Sequence, residues 1–218
     1  DNSNVVHLGI PIRSALLAPQ SEQPLQAFNI EANHPLILVL GGSQGAERVN
    51  ELIFDSLDEL LPSFSIIHQT GKMNFEVCKS SADALILDDT LRSRYHPIAF
   101  LEGSELNDAY HLASIIISRA GSNSIFEIAL HGKPSILIPI PETISHDQRT
   151  NAYTYARSGA TTVMEEGSIT PSLLRAEIDR IMQNDDIYKE MKDAATAFAK
   201  HNAADAIRDI LLGIAQKH

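Results

Sequence analysis

Ser114-Ile115-Ile116-Ile117-Ser118-Arg119-Ala120-Gly121-Ser122-Asn123-Ser124-Ile125-Phe126-Glu127 is the stretch that decides how this chain folds. An apolar run of strand length enters a turn of small residues and then a helix-like segment, with a carboxylate six residues after Gly121. A continuous apolar strand ending at such a turn belongs to a parallel sheet buried on both faces. Exposed backbone N–H groups at a helix start can hold a diphosphate, and a carboxylate one turn or more inside the helix can reach ribose hydroxyls. The arrangement suits a sugar nucleotide. Further on, Gly132-Lys133-Pro134 precedes a second polar cluster, His146-Asp147-Gln148-Arg149-Thr150-Asn151, which is free to read a sugar.

Outward from this stretch the same alternation repeats. Strand-like runs at Leu36–Leu40, Ser65–Gln69, Ser114–Ser118, Ser135–Ile138 and Thr161–Met164 are separated by amphipathic segments near 44–60, 72–80, 105–113, 123–131 and 148–158. Short apolar runs divided by helices are βαβ units, so the fold class is α/β, a Rossmann-like doubly wound parallel sheet. The last third is helical, over Pro171–Gln183, Ile187–Lys200 and Ala203–Gln216, with Thr170 as cap and Pro171 at the first helical position. Val5-Val6-His7-Leu8 forms an N-terminal strand, and the polar Ala18–Asn33 is a loop or linker. The divisions are therefore 1–33 (strand and linker), 34–200 (the α/β domain) and 201–218 (a final helix).

Bulk properties exclude several functions. With 218 residues, 44% hydrophobic and 21% charged, the chain can bury a good core and is not disordered. A net charge of −11 argues against nucleic acid and gives no attraction to anionic lipid. The single cysteine, Cys78, makes no intrachain disulfide and, without Cys or His neighbours, no metal site. No apolar run approaches the ~20 residues that span a bilayer. The opening Asp1-Asn2-Ser3-Asn4 is neither a signal peptide nor a translation start, and suggests a fragment or processed chain.

Taken singly, the chemistry-bearing residues have plain readings beside the functional ones. Gly41-Gly42-Ser43-Gln44-Gly45 follows a strand and opens a helix, where glycines let an anion approach the backbone. It is neither a Walker A loop nor a dinucleotide G-x-G-x-x-G, and an ordinary strand-to-helix turn reads equally well. Arg119 to Ser124 is an anion site or a capped helix with an exposed arginine. Arg13 alone is a solvated linker residue. Phe100 and Leu101 read as core as readily as ligand contacts, and Asn151 as an amide that ties its loop. His68 beside an apolar run is a satisfied core residue. Glu127 differs, because a carboxylate followed by Ile128-Ala129-Leu130 on an apolar helix wants a reason. His146 has no second His or Cys at ligand spacing, so no metal is expected.

Together, Gly9-Ile10-Pro11-Ile12-Arg13, Gly41–Ala46 with Asn50, His68-Gln69-Thr70-Gly71, the Arg119–Glu127 block and Gln148-x-x-Asn151-Ala152 resemble the C-terminal, donor-binding half of the MurG family of peptidoglycan N-acetylglucosaminyltransferases. The resemblance implies the C-terminal half of a GT-B fold and UDP-GlcNAc as donor substrate, with no cofactor. It implies that backbone around Gly121, Ser122, Asn123 and Ser124, with Arg119, holds the diphosphate, and that Glu127 accepts the two ribose hydroxyls. Gly42, Ser43 and Gln44 would lie near the transferring sugar, with Ser43 between donor and acceptor. Arg13 would neutralise the leaving diphosphate, a transition-state role. Phe100-Leu101-Glu102 matches the segment whose backbone reads uracil, although Gly103-Ser104-Glu105-Leu106 runs about two residues longer than the family's usual stretch. Gln148 and Asn151, at i and i+3 on one helix face, would meet GlcNAc, Gln148 through its hydroxyls.

The implied reaction moves GlcNAc from UDP to the C4 hydroxyl of lipid I with inversion, giving lipid II in peptidoglycan synthesis. On this reading a whole preceding domain, carrying the general base, the lipid I site and the membrane-associating patch, lies outside the chain. The chain alone would bind donor and turn over little or nothing, and the full-length protein would sit at the cytoplasmic face of the plasma membrane. The other readings are the donor domain of a different GT-B enzyme, a non-catalytic nucleotide-sugar-binding subunit that needs a partner chain, and, weakest, a dehydrogenase, which lacks the acidic residue about 20 positions past the loop.

Overall fold

The computed structural model describes residues 9–31, 33–42, 46–199 and 203–215, without the side chains of His146 and Ala215. The expected strand at Val5–Leu8 and two of the candidate site residues, Ser43 and Gln44, lie outside these residues. Six parallel strands form one sheet: β1 Leu36–Leu40, β2 Ser65–Gln69, β3 Tyr95–Ile98, β4 Ile115–Ser118, β5 Ser135–Leu137 and β6 Thr161–Val163, in the order β3-β2-β1-β4-β5-β6. The helices are α1 Pro24–Ala27, α2 Glu47–Leu60, α3 Phe75–Leu85, α4 Asp89–Arg92, α5 Gly103–Leu112, α6 Ser122–Leu130, α7 His146–Ala156, α8 Pro171–Met182, α9 Asp185–Phe198 and α10 Ala203–Ala215. This is the doubly wound order expected of the alternation.

Period-2 geometry sorts the strand side chains onto two faces. Ile37 and Val39 of β1 point into one core with α2 and α8, through Val49, Ile53, Leu57, Leu174 and Ile178. Leu36, Leu38 and Leu40 point into the other, with α5 and α6, through Leu106, Tyr110, Ile125 and Ile128. Every residue of β1 is buried, and each such Leu or Ile contributes about 2 kcal/mol of transfer free energy. Helix α8 starts as its sequence predicts, with Pro171 in its first turn and the Thr170 hydroxyl accepting from the Leu173 N–H at 3.3 Å.

Two features depart from expectation. Strand β3 is additional, because Tyr95-His96-Pro97-Ile98 carries a proline and reads poorly as a strand. It lies at the sheet edge, paired to β2 alone, where a missing N–H is tolerated. The segment expected as loop or linker is also packed. Leu16, Phe28 and Ile30 are buried in the second core, and Asn29 turns the chain at φ 53°. Helix α5 fixes this segment: Asn107 Nδ2 donates to the Ala18 and Pro19 carbonyls at 3.2 and 3.4 Å, and Asp108 Oδ1 accepts from the Ser21 N–H at 2.8 Å.

The order reverses between β1 and β4, which leave the centre of the sheet in opposite directions. Their C-terminal loops therefore diverge and leave a crevice, where open α/β sheets bind ligands.

Candidate functional site

The crevice has two compartments. The first is a cleft of about 360 Å³ between the β1 and β4 loops, lined among others by Arg13, Gly42, Gln69, Phe100, Leu101, Tyr110, Asn123, Ser124 and Glu127. Gly41 permits the close approach behind it, since a Cβ there would lie 3.1 Å from both the Ala46 nitrogen and the Gln69 carbonyl. Gly42 stands at φ 81°, which favours glycine.

Helix α6 enters from Gly121, whose backbone is extended and which provides no side-chain cap. The first-turn N–H groups of Ser122, Asn123 and Ser124 thus carry the partial positive charge of an unpaired helix start. One turn on, Glu127 is buried in the cleft wall at 6% exposure. Its Oε1 accepts from Arg13 Nη2 at 2.7 Å and Nε at 3.1 Å, and its Oε2 accepts from the Tyr110 hydroxyl at 3.0 Å. The structure thereby brings Arg13 and Glu127, 114 positions apart, into one ion pair.

Tyr110 is fully buried, and burial, followed by the Glu127 charge, raises its hydroxyl well above the usual range, so it remains a donor. Its ring stacks on His131 with centroids 4.6 Å apart. His131 Nδ1 in turn donates to the Glu127 carbonyl at 2.8 Å, with its Nε2 3.2 Å from Asn107 Oδ1. Burial lowers its pKa to about 4, which keeps it neutral.

The opposite wall rests on β2. Gln69 donates to the Gly42 carbonyl at 3.3 Å and accepts from the Leu101 N–H at 2.9 Å, joining two loops of the cleft. Leu101 has its side chain in the core, at 1% exposure, with its N–H already engaged. Phe100 is half-buried at the cleft edge, with Lys72 Nζ 5.2 Å from its ring centre. The long stretch after it enters α5 through Gly103 at φ 57°. Behind Gln69, His68 is fully buried and bonds Tyr95 at 2.8 Å and Asn50 at 3.0 Å, while Asn50 Nδ2 holds the Thr70 carbonyl at 3.0 Å. Burial pushes the His68 pKa down to about 3. It is a satisfied core histidine.

The second compartment, about 460 Å³, adjoins Gly42 and Ser124 and is lined also by Arg119, Ile140, Gln148 and Glu166. Arg119 shares this compartment with Gly121 and Ser124 at the α6 start, and its guanidinium is already engaged. Its Nη1 donates to the Ile138 and Pro139 carbonyls at 3.1 and 3.3 Å, and its Nη2 pairs with Glu166. Gln148 lines this compartment, its Oε1 accepting from the Ile140 N–H at 3.4 Å. Asn151 lines neither compartment; its Nδ2 reaches the Ala120 carbonyl at 3.5 Å and ties α7 to the β4 loop.

This geometry accompanies a family match. The glycosyltransferase family 28 C-terminal domain matches residues 36–210. The chain belongs to that family.

The chain is 33% identical over 215 residues to a Bacillus cereus UDP-N-acetylglucosamine–N-acetylmuramyl-(pentapeptide) pyrophosphoryl-undecaprenol N-acetylglucosamine transferase, covering 97% of this chain and 56% of that protein. It is 32% identical over 216 residues to the transferase of the same name from Treponema denticola, covering 96% of this chain and 55% of that protein. Among solved structures it resembles Acinetobacter baumannii MurG, with a TM-score of 0.71 at 26% identity, over 91% of this chain and 55% of that one. The chain thus spans about half the length of the relatives it matches, and its fold is that of the MurG C-terminal domain.

Three residues of this family 28 site were not singled out from sequence. Tyr110 and Glu166 are joined to Glu127 and Arg119 only by folding. Gln69 stands within a quoted motif, but its bridging role depends on β1 and β2 being neighbours.

Proposed function

We propose that this domain binds UDP-GlcNAc and serves as the donor half of an inverting transferase that adds GlcNAc to a muramyl-pentapeptide lipid pyrophosphate. The observation that carries the reading is the pairing, in one cleft, of an uncapped helix start with a buried carboxylate one turn along the same helix. Amides suit a diphosphate and a carboxylate suits a ribose diol. The names of the relatives supply the sugar and the acceptor.

On this reading the uridine ribose meets Glu127, and the diphosphate meets the N–H groups of Ser122, Asn123 and Ser124. The guanidinium of Arg13 offsets the charge that develops on departing UDP. GlcNAc extends into the second compartment towards Gln148. Arg119 serves by fixing the loop after β5 against the β4 loop, and Asn151 by fixing α7. Charge on the diphosphate is met by amides and Arg13, with no metal required. The remainder of the protein supplies the general base, the lipid acceptor site and contact with the inner face of the plasma membrane. Leu211, Leu212 and Ile214 of α10 are exposed, and on this reading the remainder of the protein covers them.

Calorimetric titration with UDP-GlcNAc, UDP-GalNAc, TDP-glucose and NADH tests this reading. UDP-GlcNAc should bind at one site, more tightly than its C4 epimer, and NADH should not bind. Preference for another sugar would assign the domain to a different glycosyltransferase. Lipid transfer by this chain alone would contradict the placing of the general base elsewhere.

A further inference from the structure

Glu127 has fewer free acceptor positions than a ribose needs. A carboxylate offers about four lone-pair sites. Arg13 makes two contacts to Oε1 and Tyr110 one to Oε2, while a vicinal diol that donates both hydroxyls requires two sites. At least one of these contacts has to give way. Tyr110 is fully buried and clamped against His131, so its hydroxyl stays. The Arg13 side chain is 50% exposed, and the chain after it is anchored to α5 at Ala18, Pro19 and Ser21. Its guanidinium can therefore swing while its backbone stays in place.

We propose that Arg13 is a specificity-determining residue that makes ribose recognition conditional on a diphosphate. Its guanidinium competes with the ribose for Glu127 and is drawn off only by a ligand that brings anionic oxygens to the start of α6. The destination is near: Asn123 precedes Glu127 by one helical turn, a rise of about 5.4–6 Å, and Asn123 and Ser124 line the same cleft as Arg13. A nucleoside has to break the ion pair and offers no anion in return. A nucleoside diphosphate exchanges one anionic partner of Arg13 for another. Tyr110 is the fixed positioning residue, holding Oε2 whichever partner occupies Oε1. The inference rests on the donor-site reading and adds a sign to it.

The test is titration of uridine and UDP into the 218-residue chain, into Arg13→Ala and into Tyr110→Phe, with thermal melts to confirm folding. Arg13→Ala should tighten uridine about 2–5-fold, the scale of a half-exposed ion pair, and weaken UDP about 10–50-fold, the scale of a lost charge-assisted contact. Tyr110→Phe, which keeps the ring stack, should weaken both ligands by the same factor and leave their ratio unchanged. Weakening of uridine by Arg13→Ala, or no effect on it, overturns the exchange while leaving the donor site standing. Failure of the folded, unaltered chain to bind UDP removes the donor-site reading and the exchange with it.

Discussion

The two ends of the crevice each hold an arginine paired with a glutamate, and the pairs differ in what surrounds them. Arg13 in the first compartment has a half-exposed side chain and is bonded to Glu127. Arg119 in the second compartment is 12% exposed and is held by two main-chain carbonyls as well as Glu166. The first guanidinium can be traded for a ligand at small cost. The second belongs to the scaffold, because releasing it would leave carbonyls and a carboxylate unpaired in a poorly solvated position. Sequence alone leaves both arginines with a plain solvated reading, and only packing separates the half-exposed Arg13 from the enclosed Arg119.

Acid should act most strongly on the walls of the first compartment. His68 and His131 are held neutral in the fold, with pKa values of about 3 and about 4, against about 6.5 in the unfolded chain. Below pH 6.5 the unfolded state takes up protons that the folded state does not. Stability is therefore complete above about pH 6.5 and falls as pH drops, until the folded histidines titrate. Each contributes up to ~1.4 kcal/mol per pH unit, so denaturant melts at pH 5 should show a loss of roughly 3 kcal/mol relative to pH 7. His131→Gln should remove close to half of that difference.

Next in size, Arg119→Met should cost about 2–3 kcal/mol of stability by stranding Glu166 and two carbonyls, whereas Arg13→Met should cost less, about 1–2 kcal/mol, because the buried Glu127 it leaves keeps the Tyr110 hydroxyl as donor. Urea unfolding of both variants checks the contrast, and equal losses would break it. Smaller again, Gln69→Ala cuts the tie between Gly42 and Leu101 and should cost about 1–2 kcal/mol. Asn151→Ala removes one long hydrogen bond and should cost about 0.5–1 kcal/mol. If Asn151→Ala instead left stability unchanged and weakened UDP-GlcNAc binding, Asn151 would be a sugar ligand that the crevice geometry does not reveal.

The fold was largely legible because its central strands are buried on both faces and helices such as α2, α8 and α9 carry an apolar periodicity. Leu36–Leu40 and Ser65–Gln69 coincide with the expected bounds, and the helices after position 170 end within two residues of theirs. Tyr95–Ile98 escaped because an edge strand is half-solvated and tolerates proline, so it lacks the signal of a central strand. Glu127 stood out because a charge within an apolar helix has to be compensated, and that need is visible in its immediate sequence neighbours. Its compensating partners were not legible as such. Arg13 is 114 positions away, and Tyr110 reads as an apolar-face residue of α5 until the stack on His131 turns its hydroxyl to the cleft. The committed state of Arg119 was equally hidden, since Ile138, Pro139 and Glu166 reach it only after β4 and β5 have paired.

The central claim is that Glu127 is the ribose carboxylate of a nucleotide-sugar site. It is tested most directly by calorimetry of UDP-GlcNAc with the unaltered chain and with Glu127→Gln, at equal and verified folding. Single-site binding that weakens about 10–100-fold in the variant, the loss of a charged acceptor for two hydroxyls, is the predicted result. Equal affinity in the two proteins would contradict the account.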